Sequence, residues 1–159
     1  MPPAIRRPRP PSGWRRHLAR LPIHLFRGGW GPLFGGRLLL LIHTGRASGR
    51  PREVVLEVVA RDRDGWIVAS GFGPDAQWYR NLHSTPAATV QAGRRYHAVT
   101  ARFLTPAEGG RLMVDYARRH PRAARALCRF MGFAVDGSAS AFRAAGEHIP
   151  FVRLEATDH

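Results

Sequence analysis

The sequence predicts an α+β fold, an antiparallel sheet or small barrel with flanking helices. Short apolar and β-branched runs come in pairs separated by turn residues, as hairpins do. The helical periodicities fall between these pairs or at the ends, so there is neither a βαβ rhythm nor an internal repeat. The length of 159 residues suits one domain with a real core and one pocket. Glycine (17) and proline (13) are both plentiful, which favours short elements and many turns.

Residues 1–13, MPPAIRRPRPPSG, are rich in proline and arginine and are expected to form a disordered basic tail. In 14–29, Trp14, Leu18, Leu21 and Leu25 recur on one helical face, with Arg15, Arg16 and Arg20 off it. This predicts an amphipathic helix, kinked or divided at Pro22. Glycines at 28, 29, 31, 35 and 36 then make a loop, so 14–36 reads as helix plus Gly-rich loop. The run 37–43 is a short buried strand, and 52–60 is a β-branched strand with Glu53 and Glu57 on one side. A DRDG turn (62–65) leads into the returning strand 66–70. Residues 75–84 read as a short helix with Asp75 near its N-cap, and 88–93 and 96–104 as a second hairpin. Thr105, Pro106 and Glu108 combine an N-cap, a first-turn proline and a capping-box acid, which starts a helix running to about Arg119. Pro121 opens another helix, a short one is expected around 139–145, and 149–155 closes the chain as a strand.

The charge is arginine only: 25 basic residues, none of them lysine, against 11 acids. Residues 1–52 hold eleven arginines and no acid, so most of the net +14 lies in the first third. Such a field attracts phosphates, anionic lipid headgroups or nucleic acid. Cys128 is the only cysteine, which excludes an intrachain disulfide and a cysteine-based zinc site. Its apolar neighbours make it a core residue rather than a nucleophile. The longest apolar run is five residues, far from the ~20 that span a bilayer, and no secretory signal is visible. The expected location is therefore cytoplasmic.

Two stretches carry chemistry. In HTGRASGRPR (43–52) Gly45 and Gly49 permit a turn whose N–H groups converge on one spot, an anion-holding concavity. Arg46, Arg50 and Arg52 add charge-assisted bonds to phosphate or carboxylate oxygens, and Thr44 and Ser48 add hydroxyls. The competing reading is a solvated basic turn. Nothing matches a Walker loop. In SGFGPDAQWYRNL (70–82) Gly71, Gly73 and Ala76 have G-x-G-x-x-A spacing after a strand and before a helix. Pro74 within the turn, Gln91 where a ribose-binding acid belongs, and antiparallel flanking strands argue against a literal dinucleotide fingerprint. A milder reading remains, with backbone N–H groups near a ligand and Trp78 and Tyr79 beside a ring system. For Trp78 plain core packing is the more common case. The eight histidines have no metal-ligand spacing, and His43 and His97 read as structural strand residues. No G-x-S-x-G elbow surrounds Ser70, and no carboxylate pair stands out.

Taken together, HTGRASGRPREVVLEVV (43–59), VASGFGPDAQWYRNLHSTPAATVQAGRR (68–95) and HIPFVRL (148–154) resemble the deazaflavin-dependent nitroreductase family of F420-dependent oxidoreductases. The resemblance covers roughly 37–155. It implies a split β-barrel, related to the FMN-binding split barrels, and hydride transfer from reduced coenzyme F420 to an electron-poor acceptor such as a quinone, nitro compound or enone. By resemblance, Gly45, Arg46, Ser48, Gly49 and Arg52 grip the anionic phosphodiester and glutamyl tail of the cofactor. Ser70, Gly71, Trp78, Asn81 and Leu82 border its ring. Two departures stand out. Ala47 replaces a lysine common in the family, with Arg50 able to compensate. A substrate-side tyrosine is missing near the C-terminus, where Phe142 stands. The catalytic residue is thus left unassigned, with Tyr79, Tyr96 and His83 as candidates.

Resemblance also implies an option of peripheral membrane association through residues 14–27, at the inner face of the membrane; the equal alternative is a helix that packs its Trp14, Leu18 and Leu25 face on the barrel and covers the pocket, and a homodimer is a further option. Two other functions compete. One is a split-barrel relative binding FMN, haem or a lipid. The other is a non-catalytic basic protein on membrane or nucleic acid, although no specific nucleic-acid motif is present.

Overall fold

The computed structural model describes residues 38–71 and 73–157. The expected basic tail (1–13) and the amphipathic helix with its Gly-rich loop (14–36) lie outside these residues. Six strands close into one barrel: β1 (Leu38–Thr44), β2 (Pro51–Asp62), β3 (Gly65–Ala69), β4 (Ala87–Ala92), β5 (Arg95–Phe103) and β6 (Phe151–Ala156). Their order around the barrel is β1-β2-β3-β6-β5-β4, every neighbouring pair is antiparallel, and β4 returns to β1 through Leu40↔Gln91 and Ile42↔Thr89. The split-barrel expectation is borne out. The antiparallel sheet also removes the parallel βαβ setting that a literal dinucleotide fingerprint requires.

Period-two alternation explains the closure. Leu39 and Leu41 of β1, Leu56 of β2, Val68 of β3, Val90 of β4, Val99 and Ala101 of β5, and Val152 and Leu154 of β6 meet inside the barrel. A second core lies outside it, between the barrel wall and three helices. These are α2 (Pro106–Arg119), α3 (Pro121–Phe130) and α4 (Ala139–His148). Met113, Tyr116, Cys128, Phe142 and Ala145 pack there against Val59 and Phe151. Helix α1 (Gln77–Ser84) lies at one end of the barrel and sends Trp78 and Leu82 into the interior cluster.

The capping box is present as expected: Glu108 N donates to Thr105 Oγ1 at 3.2 Å, and Thr105 N donates to Glu108 Oε1 at 3.1 Å. The start of α1 is a correction. Gly73–Asp75 form a 3-10 turn, the cap position is Ala76 without a side-chain bond, and Asp75 lies before it. Gly73, at φ +82°, and the fixed φ of Pro74 make a tight turn that delays the helix by two residues. Helix α4 reaches His148, and β6 begins two residues later than expected.

The register sorts the connections by end. The β1–β2 turn, the loop after β3, α1 and the start of β4 share one end of the barrel. The β2–β3 and β4–β5 turns share the other.

Candidate functional site

The turn between β1 and β2 is built from its own backbone. Gly45 N donates to Arg50 O and Gly49 N donates to Gly45 O, both at 2.8 Å. Arg50 N donates to Ser48 Oγ at 3.2 Å. Gly49 has φ +70°, a conformation that favours glycine. Gly45 is needed for closeness: a Cβ there would lie 2.8 Å from Ser48 Oγ and 3.5 Å from Arg52 Nε. The N–H groups of 45, 46, 49 and 50 donate within the protein, which narrows the expected concavity to the N–H groups of Ala47 and Ser48. Beside these the turn offers an anion side chains. Arg46, Ser48, Arg50 and Arg52 are exposed. Neither Arg50 nor Arg52 makes an ion pair among the described residues.

One residue joins the two motifs. Asn81 of α1 is buried, and its Oδ1 accepts from Arg46 N at 3.1 Å and from Arg46 Nη1 at 2.8 Å. Its Nδ2 lies 3.0 Å from Nδ1 of His43, which is also buried. Burial, and then the neighbouring Arg52 guanidinium, lower the His43 pKa from 6.5 to about 4. The ring is therefore neutral near pH 7. Arg46 uses one guanidinium N–H on Asn81, and a guanidinium has about five.

The remaining residues of the second motif have structural positions. Ser70 is fully buried, and its hydroxyl donates to Gly73 O at 2.5 Å. Trp78 and Leu82 are buried in the barrel core. Gly71 is half-buried beneath the ring of Phe130 from α3, where a Cβ would meet Phe130 Cε1 at 2.9 Å. The structure thus brings Gly45, Arg46, Ser48, Gly49, Arg50, Arg52 and Asn81 together.

It does not bring the proton-donor candidates to the turn. Tyr79 and Asn81 are two positions apart on a helix, about 200° around its axis, so they face opposite ways. Tyr79 packs edge-on against Phe103 and His83, with centroids 5.2 and 4.8 Å away, and burial raises its pKa. His83 stacks on Phe103 at 3.6 Å. Tyr96 pairs with Gln91, which pairs with Leu40. Leu40 is four residues before the end of β1, roughly 13 Å along the strand.

Sequence reasoning missed His43 as a partner of the turn and Phe130 as the cover of Gly71. Position alone hinted at the first, since His43 directly precedes the turn. Two clefts lie elsewhere. One, of about 340 Å³, is lined by Val58, Arg61, Asp115, Tyr116 and His120, and the other, of about 430 Å³, by Arg125, Arg129, Phe133 and Val135. Among the described residues no group of histidine, cysteine and acids could hold a metal ion, and no helix is long and apolar enough to cross a membrane.

Comparison with known proteins gives the site a context. A profile of the F420H(2)-dependent quinone reductase family matches residues 22–127. An F420H(2)-dependent quinone reductase of Mycobacterium tuberculosis is 33% identical over 110 residues, covering 64% of this chain and 69% of that protein. An F420-H2 dependent reductase of solved structure superposes with a TM-score of 0.52 at 24% identity, over 75% of this chain and 94% of that one. HutZ, the heme storage protein of Vibrio cholerae, superposes with a TM-score of 0.54 at 13% identity, over 89% and 92%. At these identities the two structural likenesses are of fold alone.

Proposed function

This chain belongs to the F420H(2)-dependent quinone reductase family, and from that premise we propose how its residues divide the work of F420-dependent quinone reduction. Arg50 and Arg52 hold the anionic tail of the cofactor, assisted by Ser48 and by the N–H groups of Arg46 that Asn81 leaves over. The donor set fits such a tail, since residues 43–52 contain three arginines and no acid, and the arginines stand at the surface. Gly45 and Gly49 let the chain turn tightly enough to present these side chains together. When bound, reduced F420 supplies a hydride.

Near the second motif, the half-buried Gly71 and the exposed ring of Phe130 offer a flat apolar border, while Trp78 and Leu82 set the helix from within. A quinone that accepts a hydride takes one proton to become the quinol. Tyr79 and His83 are packed against Phe103 and each other, and Tyr96 stands toward the other end of the barrel, so water is the proposed source. The acceptor is a quinone, with nitro compounds and enones as further acceptors of the same electronic kind. Peripheral attachment to anionic membrane through 14–27 belongs to this reading, because the sequence of that segment alternates apolar residues and arginines with the period expected of an amphipathic helix.

The observation that carries the reading is the Asn81 bridge, which joins the cationic turn to the second motif. Titrating purified protein with F420 and following its fluorescence tests it. Micromolar binding that falls with salt is expected, together with turnover of quinones by the reduced cofactor. No binding at tens of micromolar would reject the reading, and a flavin or haem recovered with the purified protein would favour the alternative ligands.

A further inference from the structure

We propose that His43 is a positioning residue for the anion-binding turn, an obligate hydrogen-bond acceptor that fixes which way the Asn81 amide faces. Arg46 presents two N–H groups to one atom of Asn81, and only the amide oxygen can accept both. The amide nitrogen must therefore face His43, 3.0 Å from Nδ1. A nitrogen that carries hydrogens needs an acceptor, so Nδ1 is bare and the ring proton sits on Nε2. Protonating Nδ1 would set N–H against N–H. Flipping the amide to suit the protonated ring would set its NH₂ against the two N–H groups of Arg46. Both alternatives break a contact within a buried cluster.

The charges around the ring act in the same sense. Arg52 stands opposite His43 on β2, Arg46 lies beyond Asn81, and residues 43–52 hold no acid. His43 is thus kept neutral, and as a neutral acceptor it holds the amide, which holds the backbone and guanidinium of Arg46. The chain of contacts runs from β1 through α1 to the turn. The same turn carries Arg50 and Arg52, so His43 acts on the anion without touching it.

The tautomer is read directly by nitrogen NMR of the imidazoles in the full-length protein, without any cofactor. A bare Nδ1 and a protonated Nε2 on His43 are expected, and a proton on Nδ1 would overturn the proposal. Asn81→Asp supplies the second reading, since a carboxylate cannot donate to Nδ1 and favours a protonated ring. The His43 pKa is expected to rise above 4 toward or past the ordinary 6.5. An unmoved pKa in a folded variant would overturn the proposal. A functional arm rests on the F420 reading above. His43→Phe should raise the KM for reduced F420 about tenfold with kcat retained, and His43→Gln, whose oxygen can accept, should recover part of the loss. Equal KM values in folded wild type and His43→Phe would overturn the positioning role. Failure of the wild type to bind F420 would reject the cofactor reading and leave the tautomer measurement to decide the role of His43.

Discussion

Arg46 and Arg52 carry the same charge in one turn but stand in different surroundings. Arg46 is tied to a buried amide, while Arg52 has no ion-pair partner among the described residues. Truncating Arg46 takes a charge-assisted bond from Asn81 Oδ1, so Arg46→Ala is expected to lower stability by about 1 kcal/mol as well as F420 affinity. Arg52→Ala should weaken F420 binding and flatten its salt dependence while leaving denaturant stability nearly unchanged. Chemical denaturation beside a fluorescence titration separates the two. If both variants lose affinity alone, Arg46 is not a strut. The arginines, the glycines and the apolar strand before them were legible in the sequence as a cationic turn. Their division was not, because it depends on Asn81, 35 residues away, and spacing along the chain does not say which side chains meet across a barrel end. The same holds for Trp78 and Ser70. Their motif was legible, but whether a side chain turns inward or toward a ligand depends on the helix packing that surrounds it.

Elements were legible where their signals are local. Thr105, Pro106 and Glu108 announce a helix start within four residues, and α2 begins as they say. Thr105→Ala should cost about 1 kcal/mol, read as a lower denaturation midpoint. The start of α1 was misplaced because Pro74 and a positive-φ glycine act through backbone conformation, which an acid at a plausible cap position masks. The crossing of α2 on α4 left no local trace at all. Gly109 and Gly146 lie face to face, and a Cβ on Gly146 would press on the backbone oxygen of Gly109 and on Met113. In an open helix Gly→Ala stabilises by up to about 1 kcal/mol. Here the contact is with backbone, which cannot swing aside. Gly146→Ala should therefore destabilise by about 1–3 kcal/mol, the usual cost of overpacking. An unchanged or raised denaturation midpoint would mean that the helices separate easily.

The whole molecule is a barrel whose two ends differ, with the arginine turn, α1 and the buried His43 at one of them. The response of stability to acid tests that asymmetry. An unfolded chain protonates His43 near 6.5, whereas the folded chain resists until about 4. Between these values the unfolded state binds more protons, so stability falls as the pH drops through this window and changes no further below it on account of His43. The carboxylates act lower down. Bonds to Arg153 lower the Asp62 pKa, and the helix cap with Arg102 lowers that of Glu108. Stability from these groups is present above the ordinary carboxylate pKa values and is lost as the pH falls through the depressed folded ones. Both pairs are exposed, so their share is small. The acid limb of a plot of Tm against pH should therefore have an upper part, from 6.5 to 4, that belongs to His43. His43→Phe removes the titrating ring and should flatten the upper part while leaving the lower one in place. An upper part that survives in the folded variant would move the pH response to another histidine and detach it from the arginine end of the barrel.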